Sequence, residues 1–151
     1  MNKVGATRLN TDDTINRLIT VHGEGGLSPT QSDWRAIFSM TGPVDILNLL
    51  SFEQHVETED GLISGAKAYQ KYVRGIGTVF LKVGATSIYA GPVHHSFGTA
   101  PQANWDMAVL SRYPSADALA QMWLDPTYIT AHQSRYSGVK HSLVLAFQPT
   151  T

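Results

Sequence analysis

Tyr128, His132 and Arg135 recur at intervals of four and three in the stretch PTYITAHQSRYSG, so one face of a single helix would carry a phenol, an imidazole and a guanidinium. An imidazole with an ordinary pKa of about 6.5 is suited to proton transfer at neutral pH. A guanidinium on an apolar face must meet a carboxylate, an acidic ligand or solvent, because an unpaired buried charge is expensive. Asn48 joins them for a different reason. It interrupts the apolar run PVDILNLLSF, and an amide in mid-strand has to find hydrogen-bond partners or a ligand. The chemistry these types allow is acid or base work by His132, a carbonyl or oxyanion held by Asn48, and positioning by Arg135. The competing reading is structural: a helix-surface histidine, an amide bonded within the sheet, and an arginine paired with Asp106. Arg112 falls on the same strand face as Asp106 and could take that partner instead, leaving Arg135 free.

Aromatic side chains would wall such a site. Tyr69, Tyr72, Tyr89, Trp105, Trp123 and Tyr128 are candidates for binding a small molecule, with His94 beside them, although core packing is the alternative for most. His94 and His95 are adjacent, so on a strand they point to opposite faces, and no third ligand is evident; no metal site is expected. There is no glycine-rich phosphate loop, nucleophile elbow or paired-carboxylate arrangement, which removes support for nucleotide binding, serine hydrolysis and glycoside hydrolysis.

The elements that must position these groups are legible from periodicity and caps. Residues 1–42 read as a helical extension packed on the main domain. Its first helix is capped by Asp12 or Asp13, carries Ile15, Leu18 and Ile19, and ends at His22 and Gly23; its second is opened by Ser28, Pro29 and Gln31 and striped by Trp34, Ile37 and Phe38. Residues 43–151 follow as one domain. Val44–Phe52 is a strand, EQHVETEDGLISG a polar flap, and Ser64 caps a helix whose stripe is Ala66, Tyr69, Val73, Ile76 and Phe80, ended by Gly84 and open to a kink at Gly75 and Gly77. Thr86–Val93 suits an edge strand, the loop HHSFGTAPQAN leads to a strand over Trp105–Tyr113, Ser115 caps the next helix, Asp125 and Pro126 restart it, and His141–Phe147 is the last strand. Strand, helix, strand, strand, helix, strand predicts an α+β, ferredoxin-like βαββαβ arrangement with the helices on one face of an antiparallel sheet. Because apolar residues occupy both faces of the first and last strands, the bare face is expected to be covered by a second copy.

Composition sets the outer bounds. A chain of 151 residues with 42% hydrophobic residues can bury one sizeable core. A net charge of −1, with Lys67, Lys71 and Arg74 on one solvated helix face, provides no phosphate-tracking groove, so nucleic acid is not an expected partner. The start lacks the hydrophobic core of a signal peptide, no run approaches a membrane span, and cysteine is absent; a cytoplasmic location away from membranes is the expectation.

With these pieces in place the chain resembles the DUF1330 proteins of the dimeric α/β-barrel superfamily. The resemblance runs from Pro43 to about Ala146 and is carried by PVDILNLLSF, SGAKAYQKYVRGIG, VGATSIYAGP and above all WDMAVLSRYPSADALAQMWLDPTYITAHQSR. It departs where Ala116 and Asp117 follow Pro-Ser. It implies a ferredoxin-like protomer, a homodimer, and a pocket between sheet and helices, in a family largely without assigned function. Superfamily relatives include cofactor-free monooxygenases, isomerases and polyketide cyclases, which implies a cofactor-independent enzyme acting by proton transfer on a hydrophobic, oxygenated small molecule. They also include haem-degrading proteins, whose strand Asn, helical Trp and helical His are echoed by Asn48, Trp123 and His132; haem is therefore the alternative cofactor to none. A non-catalytic dimer that binds a metabolite is the third reading.

Overall fold

A computed structural model describes residues 3–99 and 104–150, with side chains from residue 11 onward. Residues 100–103 of the loop expected between His94 and Asn104, and the first two residues of the chain, lie outside the described residues. The extension consists of α1 (Lys3–His22) and α2 (Gln31–Phe38). The rest runs β1 (Val44–Phe52), β2 (Val56–Thr58), β3 (Gly61–Ile63), α3 (Gly65–Lys82), β4 (Thr86–Pro92), β5 (Met107–Tyr113), α4 (Ala116–Leu124), α5 (Pro126–Gly138) and β6 (Val139–Phe147). The long strands form one antiparallel sheet in the order β4-β5-β1-β6, which is the ferredoxin-like order, with β4 at an edge as its Gly-Pro ending implied.

Local signals set most helix ends. Ser64 accepts from the Lys67 N–H, Ser115 from the Ala118 N–H, and Asp125 from the Thr127 N–H with Pro126 in the first turn of α5. Gly84, at φ +82°, turns the chain out of α3. Two expected starts are corrected. The first helix begins at Lys3, not at Asp12 or Asp13, which lie mid-helix with side chains toward solvent; Asp12 meets Arg35 of α2 at 3.0 Å. The second is capped by Thr30, which shares a capping box with Asp33, because Ser28 is drawn into a backbone bridge with Gly25. The polar flap is a hairpin, β2 with β3. Regular pairing begins at Met107, later than Trp105, and at Val139, earlier than His141.

Pleat alternation divides the sheet into two faces. Ile46, Asn48 and Leu50 point toward the helices, in register with Val109 and Val144 beside Asn48. Leu47 and Leu49 point the other way, alongside Leu143, Leu145 and Phe147 of β6, which are 45%, 47% and 41% exposed. That second face is therefore an apolar surface left open by the single chain. Its polar feature is the bidentate pair of Arg112 with Asp45, at 2.7 and 2.9 Å, which holds the Asp45 carboxyl below the usual carboxylate range. Among the described residues no helix is long and apolar enough to cross a membrane.

Candidate functional site

The site is built where α3 and α5 come close over β1. Glycine makes the approach possible. A Cβ on Gly138 would stand 2.6 Å from the Gly65 carbonyl oxygen, and one on Gly75 would stand 2.9 Å from the Ala131 Cβ, so both helices need bare backbone there. Gly75 thus serves close helix packing, which accounts for a glycine that sequence reasoning assigned to a kink. The approach aims Tyr69 and Tyr72 of α3 and Tyr128, His132 and Arg135 of α5 inward, and all five are buried.

Arg135 is 5% exposed. Its Nη2 donates to Asn48 Oδ1 at 3.2 Å, its Nη1 has no partner, and the guanidinium carbon lies 6.0 Å from the centre of the Tyr72 ring. The carboxylate that sequence reasoning offered it, Asp106, is engaged elsewhere. Asp106 accepts from the Phe52 backbone N–H at 2.8 Å, and Arg112 pairs with Asp45, not with Asp106. Among the described residues Arg135 has no carboxylate in contact, so a buried cation is left with one neutral acceptor.

His132 lies one helical turn away and is 6% exposed. Its ring stacks on Tyr128 at 5.4 Å between centroids, with Trp123 at 4.9 Å and His22 of α1 at 5.2 Å. Neither ring nitrogen has a hydrogen-bond partner. Burial, then the positive charge of Arg135, then His22 push its pKa down to about 3, so the imidazole is neutral at pH 7. The phenols are held protonated for the same first reason. Burial raises Tyr69, Tyr72 and Tyr128, and Arg135 offsets only part of it; Tyr72 donates to Tyr128 at 3.3 Å.

Between the inner sheet face and the helices is a cavity of about 680 Å³. Asn48 and Ile46 of β1, Val109 of β5, and Ser142 and Val144 of β6 floor it, and Arg135, Tyr69, Tyr72, Trp123 and Tyr128 stand around it. Six of the ten residues singled out from sequence thus line one space. Four do not. His132 sits behind Tyr128 and Trp123, off the lining; Tyr89 pairs with Leu110 on the opposite sheet face and is 57% exposed; Trp105 precedes β5 half-buried; His94 is exposed beyond β4. Sequence reasoning missed the wall given by the extension, where Leu27, Trp34, Ile37 and Met40 face the cavity. It also missed His22, whose Nε2 lies 2.7 Å from the Trp123 carbonyl oxygen. The apolar stripe of α2 signalled burial; nothing local signalled against what.

Solved structures share this architecture. The RPA0582 protein of Rhodopseudomonas palustris, a protein of unknown function, is 27% identical, with a TM-score of 0.75 over 85% of this chain and 99% of that one. Its methylated form matches at the same identity and TM-score over 84% and 96%. A DABB family protein from Mesorhizobium loti with a ferredoxin-like fold is 10% identical, covers 74% of this chain and 100% of its own, and has a TM-score of 0.50. The fold is ferredoxin-like. SnoaB, a cofactor-independent oxygenase from Streptomyces nogalater, stands further off, at 9% identity and a TM-score of 0.49 over 74% of this chain and 96% of that one, a distance across which no chemistry transfers. No protein-family model matches the chain, and no curated protein matches its sequence.

Proposed function

We propose that the protein takes up an apolar, oxygenated small molecule through an acidic or enolate oxygen held by Arg135 and Asn48, and that it acts on such a molecule without a cofactor, by proton transfer beside that oxygen. One observation carries the reading: a buried guanidinium borders a largely apolar cavity with one neutral acceptor and, among the described residues, no carboxylate in contact. A cation in that position is costly, and the anionic oxygen of a ligand would supply the missing acceptor. Donors already aimed at a site where negative charge develops are also what an enolate-forming reaction requires. Isomerase, cyclase or monooxygenase chemistry on a polyketide-like substrate is the class that this arrangement suits.

The test compares apolar monocarboxylates with their primary amides, titrated into the wild type and into Arg135→Met. The carboxylate should bind more tightly than the amide, and the preference should vanish in the variant. Turnover is read separately, as deuterium uptake by an enolisable 1,3-diketone in D2O. His132 supports the catalytic half, being a neutral base with two unpaired nitrogens, but its ring would have to turn out of the stack on Tyr128 to reach a ligand. Binding without exchange would leave a metabolite-binding protein. Haem fits less well, since His132 as placed presents neither nitrogen to the cavity as an axial ligand.

The sheet face bearing Leu47, Leu49, Leu143, Leu145 and Phe147 supports a homodimer that buries it, in keeping with the resemblance to DUF1330 proteins. Membership of that family rests on the motifs from PVDILNLLSF to ITAHQSR.

A further inference from the structure

One wall of the cavity comes from outside the ferredoxin-like unit. Residues 26–40 face it with Leu27, Trp34, Ile37 and Met40, and none of the lining residues from this segment is a cation. The segment is fastened in place. Trp34 is 1% exposed and meets Trp123 edge-on at 5.7 Å, His22 is bonded to the Trp123 carbonyl, and the Gln148 side-chain amide donates to the Thr41 carbonyl.

Its placement relative to the polar pair follows from the chain. Helix α2 ends at Phe38 and β1 begins at Val44, so Met40 belongs to the short link between them and lines the same cavity as Asn48. Asn48 stands four residues beyond Val44, roughly 13 Å along an extended backbone. The floor between them is Ile46, flanked by Ser111 of β5 and Ala146 of β6. Among the described lining residues Arg135 is the one cation, and the wall given by the extension is mainly apolar. Asp33, the charged residue that the segment contributes to the lining, is acidic and already accepts from the Thr30 N–H at 2.9 Å, so a second anionic group on a ligand would meet repulsion there.

We propose that the ligand is an amphiphilic monoanion, with its oxygen at Arg135 and Asn48 and an uncharged apolar body running to Leu27, Trp34, Ile37 and Met40, and that this N-terminal wall sets the length accepted. The inference rests on the Arg135 reading above and adds the class of ligand and the residues that select it. Each methylene that finds buried apolar surface tightens binding by about fourfold, so affinity should climb with chain length until the wall is reached and then level off or fall.

The experiment titrates straight-chain carboxylates from hexanoate to tetradecanoate into the full chain, as wild type, Met40→Trp, Met40→Ala and Arg135→Met. Met40→Trp should move the optimum to a shorter chain, costing the longest probes about fifteenfold while hexanoate changes less than about twofold, the loss of two buried methylenes being of that size. Met40→Ala should move the optimum to a longer chain, which a folding defect would not do. Carboxylate binding that depends on Arg135 but keeps the same length optimum in both Met40 variants overturns the wall and leaves the anchor standing. Carboxylate binding indifferent to Arg135, or none at all, overturns both.

Discussion

Replacing His132 by Phe should stabilise the protein, and stabilise it more as the pH falls. The wild-type ring buries two nitrogens without partners, and an unmet polar group of that kind costs about 1–3 kcal/mol. Phe keeps a flat ring for the stack on Tyr128, which removes that cost at pH 7.5. The second part is linkage. The folded-state pKa of His132 lies at about 3, below the 6.5 of the unfolded chain, so under pH 6.5 the unfolded state takes up a proton that the folded state refuses. Wild-type stability therefore drops by about 1.4 kcal/mol for each pH unit between 6.5 and the folded value, a drop the variant does not share. Between pH 6.5 and 4.5 the gap should widen by roughly 2–3 kcal/mol. Asp45 does not confuse this window. Its carboxyl is depressed below 3.8, so the stability it contributes is lost only as the pH falls through that lower value. Denaturant unfolding of both proteins at pH 7.5, 6.5, 5.5 and 4.5 is the assay. Parallel curves, or a variant less stable throughout, would refute the argument that His132 is a strained neutral group retained for something other than stability.

Three further outcomes follow from the geometry. Asn48→Asp should hand Arg135 an internal carboxylate and lower carboxylate affinity by about tenfold or more, with the fold retained; unchanged affinity would mean the ligand does not use that guanidinium. Gly138→Ala should lower the melting temperature by several degrees, because the clash with the Gly65 carbonyl and the Ala68 Cβ at 2.9 Å, typically about 1–3 kcal/mol, outweighs the helix propensity that Ala brings; an unchanged or higher value would show that α3 and α5 can separate cheaply. Leu145→Asp, on the open sheet face, should convert a dimer to a monomer in sedimentation equilibrium, and a wild-type protein that is monomeric throughout would remove the proposed interface.

What the sequence disclosed and what it hid divide along the range of the interactions. Ser64, Ser115 and the Asp125-Pro126 step are short-range devices, each read correctly from a few neighbouring residues. Pleat alternation places Asn48 on the face of Ile46 and Leu50, but that this face meets the helices was decided by the packing of the whole sheet. Thr30 displaced Ser28 as a cap only because a bridge to Gly25 occupied Ser28, and that bridge has no local signature. The fate of Arg135 depended on Asp45, Asp106 and Phe52, all far from it in the chain, so spacing could nominate it as unpaired but not decide it. His132 shares its helix face with Arg135 and still misses the cavity, because Trp123 and Tyr128 close over it from two helices. Tyr89 has the right chemistry on a strand position that register sends to the other face, and Trp105 stands before the pairing of β5 begins.

The central claim is that Arg135 awaits an anionic oxygen. Its most direct test is the dissociation constant of one apolar carboxylate and of its primary amide, measured by calorimetry on the wild type and on Arg135→Met. A charge-assisted hydrogen bond in a buried site contributes about 1.5–3 kcal/mol, so the wild type should favour the carboxylate by about ten- to a hundredfold. The variant should bind the two alike, with the amide affinity little changed. Equal affinities in the wild type, or a carboxylate preference that survives the loss of Arg135, would contradict the account.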